Sequence, residues 1–409
     1  MQIIFINRFF YPDHSATSQM LSDLAFALAG RGGKVVVITS RLRYDNPGAR
    51  LPPSEEIDGV QIYRVATTSF GRHILAGRAL DYATFYVMAA WSVLRRTQRG
   101  DLVVAKTDPP MLGLVCRPAA RLRGAYFANW LQDIFPEVAV ALGMNNPPLR
   151  SVFSFLRIFR DASWRKAEFN AVIGSRMAER LRAAGVKEDK IRLIPNWADT
   201  SAVRPVAPAG NPLRAEWGLR DTFVVGYSGN LGRAHEADTL LAAIALTEQN
   251  ADLKHVRWLF VGGGAQLERL KAACSSRGLS SVRFQPYQPR ERLAQSLSAA
   301  DVHLVSLRPE LEGLIVPSKF YGIAAAGRPA IFIGDADGEI ARLLREHGCG
   351  VTVPQGDGVA LAAAVEHLAH NPSLCLASGE NGRRAAEQRF GIDKAVSSWE
   401  DALRTLPGS

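Results

Sequence analysis

The chain has 409 residues, 47% of them hydrophobic, and carries 49 Lys and Arg against 39 Asp and Glu, a net charge of +10. That length suits two domains with separate cores, and that composition excludes a disordered chain. The four cysteines, Cys116, Cys274, Cys349 and Cys375, show no paired spacing, which argues against a disulfide framework or zinc site and fits a reducing compartment.

Charge is unevenly placed. Residues 1–200 hold 27 basic and 17 acidic residues, whereas the remainder balances at 22 of each. The first half is therefore expected to meet a large anionic surface. The apolar opening Ile3–Ile6 stops at Asn7-Arg8, so no secretory signal is read. The uncharged run Tyr82–Leu94 falls short of the roughly 20 residues that span a bilayer. A soluble or peripheral protein is expected.

Strand-like apolar runs alternate with helical segments along the whole chain. In the first half they are Ile3–Ile6, Lys34–Thr39, Val60–Val65, Leu102–Ala105, Ala125–Trp130, Ala171–Ile173 and Ile191–Ile194. In the second they are Phe223–Tyr227, Arg257–Val261, Val282–Phe284, Val302–Val305, Ala330–Ile333 and Gly350–Val353. The pattern predicts an α/β protein of two doubly wound domains facing across a cleft, joined by the Pro-rich stretch Ser201–Pro212. In such sheets ligands bind where strand C-termini meet.

The first motif is the loop Phe9–Thr17, between the first strand and first helix. Small Ser15 and Ala16 leave room there for a sugar or phosphate, and His14 is a candidate base or donor. Two later stretches mix apolar and basic residues. Tyr82–Leu94 is flanked by Arg72, Arg78, Arg95, Arg96 and Arg99, and Leu149–Lys166 sets Val152, Phe153, Phe155, Leu156 and Phe159 among arginines. Apolar faces with basic borders suit anionic lipid headgroups; the competing reading is a core-packed helix with a solvated basic side.

Between them, Asn129–Glu137 (NWLQDIFPE) ends a strand and brings Asp133 and Glu137 to the expected cleft. Asp133 either takes a proton from an attacking hydroxyl or caps the following helix. Ile194–Asp199 (IPNWAD) reads as a hinge.

In the second half, Val225–Arg233 (VGYSGNLGR) follows a strand and leads toward His235. Its Gly229 and Gly232 permit close backbone approach to phosphate oxygens, although the loop is no GxGxxG fingerprint and is also compatible with a plain βα turn. Gly262-Gly263-Gly264 close the next strand under the same two readings. Val316–Pro329 (VPSKFYGIAAAGRP) starts a helix at Pro317-Ser318 with Lys319 at its head, an arrangement that attracts a phosphate. Ala324–Gly327 carry so little bulk that this helix can lie close against a neighbour, with Gly327 ending it.

Taken in order, these segments resemble the family-4 retaining glycosyltransferases of GT-B fold, in the branch that builds exopolysaccharide and O-antigen. Ile194–Asp199 resembles that family's IPNGVD signature, Tyr227–Asp238 its donor loop, Val261–Gly264 its LVGxG turn, and Ala325–Pro329 its AxGxP end. The WLQDIFPE and VPSKFYGIAAAGRP wordings are similar to the colanic-acid and N-acetylfucosaminyl-transferase subgroup. The chain also departs from the pattern. Gly322 and Leu314 stand where the family has a spaced pair of glutamates for donor ribose, with Glu310 and Glu312 just upstream. Asn230 and His235 replace the donor loop's usual Arg and Lys, and Gln132 precedes Asp133 where a His is common.

The resemblance implies an acceptor domain over residues 1–200, a nucleotide-sugar domain over 201–389, and a helix in 390–409 that packs back on the first domain. It implies transfer of a hexose or N-acetylated hexose from a UDP-sugar to a polyprenyl-diphosphate-linked saccharide at the cytoplasmic face of the inner membrane, without metal or other cofactor. Asp133 and Lys319 are then the catalytic candidates. Ser228, Gly229, Asn230, Gly232, Arg233, His235, Gly262, Gly263, Glu312 and Ser318 would hold donor, and His14, Ser15 and Ala16 acceptor. No nucleic-acid motif is present. A nucleotide-sugar epimerase, or a silent subunit activating a partner transferase, would share the same donor domain.

Overall fold

A computed structural model describes residues 1–13, 15–43, 46, 48–70, 75–144 and 146–406; His14 and Arg72 lie outside the described residues. The chain divides into two compact units, residues 1–195 with 395–409, and residues 196–394.

The first unit contains strands Gln2–Ile6 (β1), Lys34–Ser40 (β2), Ser54–Ile57 (β3), Val60–Val65 (β4), Leu102–Ala105 (β5), Tyr126–Leu131 (β6), Phe169–Val172 (β7) and Ile191–Leu193 (β8). Their sheet order is β3-β4-β2-β1-β5-β6-β7-β8. Every pairing is parallel except β3 with β4. Its helices are Ala16–Gly30 (α1), Leu75–Arg96 (α2), Gly113–Leu122 (α3), Glu137–Ala141 (α4), Pro147–Lys166 (α5) and Ser175–Ala183 (α6). Each predicted strand of this half is present within a residue or two. The strand missing from the prediction is β3, whose sequence Ser-Glu-Glu-Ile has no apolar run. It needs none, being a short antiparallel edge whose glutamates discourage further pairing.

The second unit has strands Phe223–Asn230 (β9), Val256–Gly263 (β10), Val282–Gln285 (β11), Val302–Ser306 (β12), Ala330–Ile333 (β13) and Gly350–Val353 (β14). They are all parallel, in the order β11-β10-β9-β12-β13-β14. Helices Pro212–Glu216 (α7), Asp238–Gln249 (α8), Ala265–Ser276 (α9), Leu293–Ser298 (α10), Lys319–Ala325 (α11), Glu339–His347 (α12), Gly358–His370 (α13) and Pro372–Gln388 (α14) connect and cover them. The small-residue run of α11 is used for close packing. A Cβ on Gly379 of α14 would run into the Gly327 carbonyl, and one on Gly382 would sit 3.6 Å from Cα of Ala324. Gly327, at φ +64°, ends the helix in the left-handed conformation.

The last helix, Ile392–Arg404 (α15), delivers Trp399 to the core of the first unit. Its ring lies edge-on to Phe5, Trp130 and Phe169, with centroids 5.9, 4.9 and 6.1 Å away. Three aromatic contacts around a fully buried indole pin this helix firmly.

Two helices of the first unit expose apolar side chains. On α5, Val152, Phe155, Ile158 and Phe159 are exposed while Phe153 and Trp164 turn inward. On α2, Leu80, Val87 and Trp91 are exposed, and Arg95 lies over the Trp91 ring at 5.4 Å. Among the described residues no helix is long and apolar enough to cross a membrane.

Candidate functional site

In each sheet the strand order reverses once, between β1 and β5 in the first and between β9 and β12 in the second. Crevices at such points are the usual ligand sites of parallel sheets. Both collect the chemistry-bearing residues.

In the second unit, β9 and β12 pair only at Val225–Val302 and Gly226–His303, then part. His235 fills the gap: its Nδ1 lies 2.7 Å from the Ser306 carbonyl and 3.1 Å from that residue's hydroxyl. Burial, and next the charge of Lys319, lower its pKa to about 3. The ring is therefore neutral at pH 7, with Nδ1–H donating to the carbonyl. His235 thus brings no positive charge to this crevice.

Lys319 supplies that charge from the other side. It heads α11, directly after Ser318, whose side chain makes no capping bond. The ammonium donates to the Tyr227 hydroxyl and lies 3.7 Å from that ring's centroid. The Tyr227 hydroxyl in turn donates to the Asn230 carbonyl at 3.1 Å, fixing its orientation. A Cβ placed on Gly229 would be 3.9 Å from Lys319 Nζ. No carboxylate of the described residues comes within 4.0 Å of this ammonium. Burial lowers its pKa to about 7. A lysine held this way has both the location and the electrostatic need for an incoming anion.

The glycines of the two predicted loops serve one another. Gly229 (φ +116°) and Gly262 (φ +134°) end adjacent strands, and a Cβ on Gly262 would collide with the Gly229 carbonyl. Gly263 lies 3.4 Å, measured from a built Cβ, from the exposed ring of Tyr287. So the glycine-rich ends of β9 and β10 form one crowded, side-chain-free shelf with Tyr287 at its edge. Ser228 and Gly232 flank this shelf partly buried, and Arg233 is exposed. Tyr287 was not singled out by sequence, because one aromatic in a Pro-rich loop carries no spacing signal.

Glu312 is placed differently. Its carboxylate accepts the Glu339 N–H at 3.1 Å, and a Cβ on Gly338 would strike it. It satisfies an unpaired donor at the start of α12 and complements that helix's dipole.

In the first unit the residues after β1, β5 and β6 converge. Asp133 follows β6, and the cap reading fails: α4 starts only at Glu137, with Pro136 in the capping position. Glu137 is itself held by Arg160, whose Nη2 donates to it at 3.0 Å. Asp133 instead lines a cavity of about 20 Å³ with Lys106, Thr107, Asn129, Arg160 and Ser163. Burial, then the neighbouring Asp108 charge, push its pKa up to about 7, against a hydrogen bond from the Thr107 hydroxyl and the Lys106 charge. A carboxyl poised near neutrality beside a sheet's switch point suits proton transfer. At the start of α1, the Ser15 N–H donates to buried Asp13 at 2.8 Å, and Ser15 Oγ is buried with no hydrogen-bond partner among the described residues. Ala16 is exposed beside it.

Comparison with known proteins agrees with this geometry. Residues 222–371 match the family model "Glycosyl transferases group 1", and residues 16–197 match "Glycosyl transferase 4-like domain". The probable glycosyltransferase WbjE of Pseudomonas aeruginosa is 30% identical over 284 residues, covering 67% of each chain. WcaI of Escherichia coli, named for colanic acid biosynthesis, is 22% identical over 399 residues, covering 95% of this chain and 97% of its own. The structure of Anabaena HepE in complex with UDP-glucose superposes with a TM-score of 0.72 at 17% identity, covering 99% of this chain and all of that one. The fold is GT-B: two Rossmann-like domains built on parallel sheets.

Proposed function

The chain belongs to the group 1 glycosyltransferases, and from that premise we propose that it is a retaining enzyme of bacterial polysaccharide synthesis. It moves a hexose or N-acetylated hexose from a UDP-sugar to a saccharide carried on a polyprenyl diphosphate. The observation that carries this reading is the Lys319 ammonium beside Gly229, where β9 and β12 part, with no carboxylate of the described residues within 4.0 Å of it. WcaI, named for colanic acid biosynthesis, supports the polymer context, and the UDP-glucose bound to HepE supports the nucleotide.

In the transfer, the bond between the sugar's anomeric carbon and the diphosphate oxygen breaks, and the acceptor oxygen bonds to that carbon from the same face. Negative charge grows on the leaving diphosphate, so a preorganised ammonium at Lys319 stabilises the transition state more than the ground state. The acceptor proton goes to the leaving phosphate or to Asp133. At the start of α1, the buried Asp13 carboxylate accepts the Ser15 N–H just before the helix and puts a negative charge there. Ser15 and Ala16 therefore receive a neutral hydroxyl of the acceptor sugar better than a phosphate.

The exposed apolar faces of α2 and α5, set in a strongly basic first unit, would lie on the anionic inner-membrane surface where such acceptors reside. The decisive experiment is a nucleotide-sugar panel read first by thermal shift, then by transfer of labelled sugar into lipid extracts. A UDP-sugar that raises the melting temperature and labels lipid supports the proposal. Turnover of donor without acceptor would favour an epimerase, and absence of any nucleotide-dependent shift would overturn the proposal.

A further inference from the structure

Tyr227 lies where the glycine shelf and Lys319 meet, and the residue patterns assign it no role. It sits on β9, is 1% exposed, and has the rings of His235 and Phe260 beside it with centroids 6.0 and 6.1 Å away. Those contacts would suit a phenylalanine equally well. A buried hydroxyl costs free energy unless it is hydrogen-bonded, so the phenol oxygen needs a reason of its own.

Both of its bonding capacities are committed. Its single proton goes to the carbonyl of Asn230, the last residue of β9, at 3.1 Å. The lone pairs are then left to accept from a donor. Lys319 is that donor, and its Nζ also lies 3.7 Å from the ring centroid. Hydroxyl and ring face therefore both hold the nitrogen. The hold needs no particular charge on the lysine, since amine and ammonium both carry N–H groups to donate. One phenol oxygen thus ties the head of α11 to the strand end that carries Gly229 and Asn230.

We infer that Tyr227 is a positioning residue for Lys319: its hydroxyl fixes the lysine nitrogen at the glycine shelf before donor arrives, so that the leaving diphosphate meets a group already in place. This rests on the reading of Lys319 as the cation that faces the diphosphate. Preorganised groups of this kind lower a barrier because nothing must reorient during the reaction, and a misplacement of about 1 Å costs up to about 100-fold in rate. The other titratable groups acting on the pair are His235, His303 and Tyr287. Burial keeps both histidines neutral at pH 7, at about 3 and about 4. A change in the lysine's titration on loss of the hydroxyl therefore reports the hydroxyl itself.

The test is Tyr227→Phe, which removes one oxygen and keeps the ring in its contacts with His235 and Phe260. The first readout is a carbon-13 NMR titration of the lysine side chains in ligand-free protein, with Lys319 assigned by its loss in Lys319→Met. The Lys319 midpoint should fall by about half a pH unit or more, because the ammonium loses an acceptor that favours it over the amine. The second readout is sugar transfer. There kcat should fall about tenfold or more and the donor KM should change less than kcat, since the lysine acts on charge that grows in the transition state. A merely structural tyrosine would lower the melting temperature and leave both readouts at wild-type values. An unmoved Lys319 midpoint overturns the inference. So does a kcat within about twofold of wild type where Lys319→Met is itself impaired. The two layers fail separately: Lys319→Met transferring at the wild-type rate would remove Lys319 from the mechanism, and the midpoint alone would then judge the Tyr227 contact.

Discussion

Replacing Lys319 with Met leaves a side chain of similar reach but no charge, and the structure sets the size of the consequence. In the free protein burial has brought the lysine from its usual 10.5 to about 7, so at pH 8 about nine-tenths of the molecules carry the neutral amine. A diphosphate arriving beside Gly229 would restore the ammonium, so binding takes up a proton. The sign follows directly. Below pH 7 the ammonium is already present and affinity is flat, whereas above pH 7 affinity falls, by up to about tenfold per pH unit. The neighbours do not confuse the titration: His235 stays neutral down to about 3, and burial holds the Tyr227 hydroxyl well above its usual range. The assay is calorimetry with UDP-glucose at pH 8 in buffers of different ionisation enthalpy. Wild-type protein should take up close to one proton, about 0.9, and Lys319→Met essentially none, with weaker binding at pH 6.5 as well. Binding without proton uptake, or a Met variant as tight as wild type at pH 6.5, would refute the reasoning.

Three further outcomes are expected. Glu312→Gln should lower stability by about 1 kcal/mol, read as a drop of a few degrees in melting temperature, and leave UDP affinity unchanged; reduced affinity at unchanged stability would make Glu312 a donor ligand instead. Gly262→Ala should both destabilise the second unit and abolish UDP-dependent thermal shift, because the new Cβ meets the Gly229 carbonyl at a φ of +134°. Phe155→Ser with Phe159→Ser, both on the exposed face of α5, should leave the melting temperature within about a degree of wild type and weaken salt-sensitive binding to anionic vesicles; unchanged vesicle binding would take α5 off the membrane.

What could be read from the sequence depended on whether the signal was local. Parallel strands buried on both faces announce themselves as apolar runs, and this is why Leu102–Ala105 and Ala330–Ile333 appear with unchanged boundaries. The edge strand β3 has no such run, since its two glutamates face solvent or partner Arg64. Lys319 was legible because a Pro-Ser-Lys start followed by small residues is a local pattern with a physical use. Lys106 was not, because a lysine just after a strand reads as solvated until Trp130 and the first turn of α1 close over it. By resemblance alone His235 stands at the family's lysine position, and only the parting of β9 and β12 revealed a neutral ring bonded to Ser306. For Asp133 both readings fitted the sequence, and the late start of α4 at Glu137 decided against the cap.

The central claim, that the second unit binds the donor through its glycine shelf and Lys319, is tested most directly by a crystal structure with UDP bound. The account predicts diphosphate oxygens within hydrogen-bond reach of Lys319 Nζ and of backbone N–H groups at Gly229 or Asn230. A nucleotide seated elsewhere, with Lys319 still bonded to Tyr227 alone, would contradict it.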